Sequence, residues 1–169
     1  MNTENHNKIL VHSSFEIITD INRYGPLDSC LCFVDASGTY ESLQDAQAEA
    51  QHKQLVGYAL GEINCQYILQ IDDDEIIEQR DLYDTCIIDE ITDTLDVDAD
   101  TAESLLDGSL ELCDTDSYDA EDDWWLQGIL GKCAKKQGYT AVRSEDEQGE
   151  VIIVDMLGKE NDWKLVWSR

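Results

Sequence analysis

Four sets of residues in this chain have the types and placement to do chemistry. His12-Ser13-Ser14 follows the apolar run Ile9-Leu10-Val11, so an imidazole and two hydroxyls stand at the end of a strand. An imidazole fixed there can donate or accept a hydrogen bond at a substrate hydroxyl. Glu145-Asp146-Glu147 forms an acidic corner between a short strand and a second apolar one, where a turn can aim a carboxylate into a cleft. A fixed negative charge beneath a sugar stabilises the oxocarbenium-like centre that develops when a glycosidic bond breaks. Arg23 is one of only 11 basic residues, and a guanidinium suits phosphate. Phe33, near the end of another apolar run, offers an aromatic face for a ring.

The elements that must position these groups can be read from periodicity and end signals. Residues 9–11, 29–34, 65–71, 151–156 and 163–167 read as strands, the fourth apolar enough to be covered on both faces. Residues 40–53 have helix propensity. Residues 82–95 carry Ile87, Ile88, Ile91 and Leu95 at helical spacing. Asp100 is expected to cap a second helix stopped by Gly108. Asp119 is expected to cap a third, with Trp125, Ile129 and Cys133 in its apolar stripe, lysines in its last turn and Gly138 as its end. Strands at both ends with a helical block between them predict an α+β domain, with residues 1–8 as a flexible leader and 9–169 as one folded unit.

Composition narrows the function. With 169 residues the chain can bury a real core, and its formal net charge of -27 argues against binding nucleic acid through phosphates. The acidity fits a solvated surface, a face that docks on a basic partner, or a mimic of DNA. The six cysteines include no C-x-x-C pair and follow no apolar leader, so reduced thiols in a cytoplasmic protein are expected and no metal site is. No apolar run has the roughly 20 residues needed to cross a bilayer. There is no P-loop or dinucleotide-binding glycine fingerprint, and no Ser-His-Asp or Cys-His order.

Several of these residues recur together. His12-Ser13-Ser14, Arg23-Tyr24-Gly25, Gly138-Tyr139 with Val142, Asp146-Glu147-Gln148-Gly149 and Asp155-Met156-Leu157-Gly158 resemble, in order, motifs of the phage anti-CRISPR ADP-ribosyltransferases that inhibit type I-F CRISPR surveillance complexes. The resemblance implies an ADP-ribosyltransferase-like domain with a split β-sheet core, and NAD as substrate with no metal. It implies that His12, Ser13, Ser14, Arg23, Tyr24 and Phe33 belong to the NAD cleft. It assigns catalysis to Asp146, with Glu147 as runner-up; the alternative E-x-E pairing of Glu145 and Glu147 stays open. The partner implied is a PAM-reading subunit of the surveillance complex, in a host bacterial cytoplasm. The rival reading is a non-catalytic acidic DNA mimic directed at a CRISPR or restriction complex.

Overall fold

The computed structural model describes residues 7–14, 17–21, 29–35, 65–116, 119–146 and 149–168. Its strands are β1 Asn7–Ser14, β2 Cys30–Asp35, β3 Cys65–Asp72, β4 Ile76–Glu78, β5 Ala141–Asp146, β6 Gly149–Asp155 and β7 Trp163–Ser168. They form one sheet in the order β4-β5-β6-β2-β1-β3-β7. Among the described residues the α-helices are α1 Thr85–Leu95, α2 Ala99–Asp107 and α3 Ala120–Lys136, all between β4 and β5. β4 and β5 run parallel, and the other neighbouring pairs are antiparallel. Parallel neighbours need a crossover connection, which the helical block supplies. The fold is α+β, as the order of elements predicts.

The local signals act largely as expected, with shifts at the ends. β1 begins at Asn7, so it takes in two residues assigned to the leader. Asp84 caps α1 by accepting from the Ile87 N–H at 2.9 Å. The cap of α2 is Asp98, which accepts from the Thr101 N–H at 2.7 Å, and Asp100 lies inside the first turn. Both aspartates suit a helix start; Asp98 has the extended backbone a cap needs, and Asp100 is already helical. Gly108 ends α2 in the left-handed region, at φ 79°. Asp119 caps α3 by accepting from the Asp122 N–H at 2.8 Å, and Gln137 ends it one residue before Gly138. β4 is too short to leave a sequence period. The helix expected over 40–53 lies outside the described residues.

Both faces of the sheet centre are buried. On one face Ile91, Leu105, Leu106, Ile129 and Cys133 of the helices meet Cys30, Val142, Val151 and Ile153. On the other, Leu10, Leu31, Phe33, Leu69, Ile152, Val154 and Met156 form a second cluster. Each of the Leu, Ile, Val, Phe and Met side chains contributes about 1.5–3 kcal/mol by leaving water. This is why β6 reads as an uninterrupted apolar run. The helix layer comes closest at Gly131, where a Cβ would lie 2.7 Å from Cys30 Sγ and 3.1 Å from Ile153 Cγ2. Only glycine allows α3 to sit so near β2 and β6.

Candidate functional site

β2 changes partners along its length, and the candidate site lies where it does. Cys30, Leu31, Cys32 and Phe33 pair with β6. Val34 and Asp35 pair with Val11 and Leu10 of β1. Beyond Val11, β1 continues through His12, Ser13 and Ser14 in register with β3 alone. The sheet therefore splits between His12–Ser14 and Cys30–Phe33, while remaining one hydrogen-bonded order through β2. Across the split, His12 Nδ1 lies 2.7 Å from the Cys32 carbonyl oxygen.

That contact fixes the chemistry of the ring. A carbonyl only accepts, so Nδ1 carries a proton, and in the neutral ring Nε2 is then an acceptor. Burial pushes the His12 pKa below the ordinary imidazole value, against the opposing pull of the Cys32 hydrogen bond. The residue is half-buried as a whole, but Nε2 is shut off from bulk solvent, so desolvation favours the neutral imidazole.

The surroundings are aromatic. The His12 ring centroid is 5.6 Å from that of Phe33, with the planes tilted by 54°. Tyr67, opposite His12 on β3, stacks on Trp163 at 4.2 Å. The Tyr67 hydroxyl accepts from the Ile18 N–H at 2.9 Å, which ties residues 17–21 to this side of the sheet. Ile21 packs into the same cluster as Phe33.

The structure sorts the residues singled out in the sequence. His12 and Phe33 are brought together. Ser13 lies on the opposite face from His12, as strand alternation requires, and its Oγ accepts from Gln66 Nε2 at 3.3 Å. Ser14 returns to the His12 side and is 3% exposed. Phe33 is 0% exposed, which corrects its expected role as an open stacking face: an apolar residue on a strand covered on both sides becomes core. Its ring supports His12. Arg23, Tyr24 and Glu147 lie outside the described residues.

Asp146 ends β5, opposite Gly149, whose φ of 111° is the left-handed conformation that a tight corner asks of glycine. β6 and β2 stand between this corner and β1. Three strand spacings amount to about 14 Å across the sheet. The cross-strand row through Phe33 and Ile152 meets β5 at Arg143, three residues before Asp146.

Two polar clusters lie outside the residues given catalytic or cofactor roles in the sequence, although Asp155 opens one of its motifs. Arg143 pairs with Glu78 and approaches Asp73 at 3.5 Å and Glu150 at 3.6 Å, joining β4, β5 and β6. Asp155 is 5% exposed and accepts from Ser29 Oγ at 2.7 Å and the Leu157 N–H at 3.1 Å. It fixes the turn at Met156-Leu157-Gly158 after β6. The visible signal was a carboxylate ending an apolar strand. Glu111, Cys113 and Asp114 offer ligand atoms within 4.8 Å of one another, but all three are exposed. A hydrogen bond to Glu111 pushes the Cys113 thiol pKa up, opposing the thiolate a metal would want. No helix among the described residues is long and apolar enough to cross a membrane.

No protein-family model matches the chain, and no curated protein matches it. Among solved structures, the crystal structure of an anti-CRISPR protein is similar to it with a TM-score of 0.50 and 21% identity, over 89% of this chain and 90% of the other. At that identity the likeness is one of fold. It covers nearly the whole of both chains.

Proposed function

We propose that this protein is an anti-CRISPR mono-ADP-ribosyltransferase that uses NAD to modify a PAM-reading subunit of a type I-F surveillance complex. The observation that carries the reading is the His12 imidazole, held 2.7 Å from the Cys32 carbonyl where β1 and β2 part. The sequence motifs and the likeness in fold to an anti-CRISPR protein agree with it.

In this reading Nε2 of His12 accepts a hydrogen bond from a ribose hydroxyl. The carboxylate at the β5–β6 corner, Asp146 with Glu147 as runner-up, faces the ribose as the nicotinamide bond breaks. Nicotinamide leaves with the bonding electron pair, the acceptor side chain forms the new bond to the ribose, and its proton passes to solvent or to the second carboxylate. A charge placed in advance where positive charge develops stabilises the transition state without reorganisation. ADP-ribose on a PAM-reading surface adds bulk and negative charge where the subunit must meet phosphate and base edges, and so opposes DNA binding.

One observation favours a second reading, stoichiometric DNA mimicry. No Lys or Arg occurs between Arg80 and Lys132, and α1 and α2 expose Asp89, Glu90, Asp93, Asp100 and Glu103. Incubating the protein with host lysate and labelled NAD separates the two. A transferase labels one dominant protein; inhibition without any transfer of label establishes the mimic.

A further inference from the structure

A groove of about 750 Å³ opens between the end of α2, residues 110–113, α3 and the ends of β4, β5 and β6. Leu105, Leu126 and Leu130 line it with buried apolar side chains. Asp107, Glu111 and Glu145 stand around them, and Asp107 and Glu111 belong to the long stretch without a basic residue. An apolar floor below a carboxylate rim suits a side chain with an aliphatic stem and a cationic head. The protein's own Arg143, on the groove wall, pairs with Glu78, with Asp73 and Glu150 close by.

We infer that this groove docks an arginine-bearing segment of a protein partner, with the guanidinium groups on the rim and the stems along the leucine floor. Charge complementarity selects this occupant. Phosphates and acidic peptides meet a rim on which Asp107, Glu111 and Glu145 outnumber the exposed Arg80, and lysine, more strongly hydrated and without a planar fork, loses more on leaving water. Glu145 and Glu150 flank the β5–β6 corner and line the groove, so a docked segment lies beside that turn. On the proposed function this is the side from which an acceptor protein approaches; the docking itself requires no NAD.

The test is fluorescence anisotropy with the full chain, without NAD, against a labelled Arg-Gly-Ser peptide and its Lys-for-Arg and Glu-for-Arg counterparts. Two double variants make the same change in charge: Glu111→Lys with Glu145→Lys at the groove, and Glu90→Lys with Asp93→Lys on the exposed face of α1. Circular dichroism checks that both fold. The Arg peptide is expected to bind best, with affinity falling about tenfold or more in the groove variant and less than about twofold in the α1 variant. Equal losses in both variants mean diffuse attraction to an acidic surface and overturn the proposal, as does equal binding of the Lys peptide or no binding of the Arg peptide. Labelling with NAD is read separately, so failure of docking and failure of the transferase reading are distinguishable.

Discussion

His12 donates through Nδ1 to the Cys32 carbonyl across 2.7 Å at the residue where β1 stops pairing with β2. A side chain thus takes up a backbone acceptor at the split and fixes the ring's tautomer. Burial lowers the pKa of this ring in the folded protein, against the pull of that hydrogen bond, which links His12 to stability.

The sign follows from that shift. Below the ordinary imidazole value the unfolded chain binds a proton at His12 that the folded chain resists, so stability is lost as pH falls from that value toward the lowered one. Asn at position 12 keeps a donor near Nδ1 and does not titrate. Urea midpoints at pH 7.5 and 5.5 are expected to differ more for the wild type than for His12→Asn. The difference of differences isolates His12 from the background of titrating carboxylates.

Gly131→Ala is expected to destabilise the fold by about 1–3 kcal/mol, because the new methyl lands on Cys30 Sγ. Combining it with Cys30→Ala removes that neighbour, and part of the loss should return in a double-mutant cycle followed by thermal melting. No coupling would mean that the Ile153 contact, or a shift of α3, sets the cost.

The capping of α2 offers a check on a boundary that sequence misplaced. Asp98→Ala is expected to cost about 1 kcal/mol, the usual loss of an N-cap, and Asp100→Ala only a few tenths through the helix dipole. Chemical denaturation of the two single variants measures both.

These cases indicate what the residue order could reveal. Short apolar runs and alternation located β1, β2, β3, β6 and β7, and a period of 3.6 located the helices, because burial of one face or two writes itself into apolar spacing. The two-aspartate ambiguity at 98 and 100 was invisible because either residue satisfies the cap pattern. β4 was missed because three residues hold no period, and its place is set by parallel pairing with β5, distant in sequence. At the site, His12 could be singled out as a strand-end imidazole. Its Cys32 partner could not, because it follows from where the sheet splits. The burial of Phe33 likewise depends on Leu10, Leu69 and Ile152, drawn from three other strands.

The two acids of the corner separate by substitution. Asp146→Ala is expected to lower transfer by a factor on the order of 10² to 10³ with little change in melting. Glu147→Ala should retain most activity; the reverse pattern moves the catalytic position by one residue. His12→Ala should act mainly by raising KM, since its proposed work is gripping a ribose hydroxyl. Steady-state kinetics on labelled NAD, beside melting curves, read all three.

Intact-mass spectrometry of a purified type I-F surveillance complex, after incubation with this protein in substoichiometric amount, tests the central claim most directly. With NAD present, the PAM-reading subunit should gain the mass of one ADP-ribose and the complex should lose target DNA binding; without NAD neither change should occur. Loss of DNA binding at unchanged subunit mass, equally with and without NAD and only at stoichiometric dose, would contradict it.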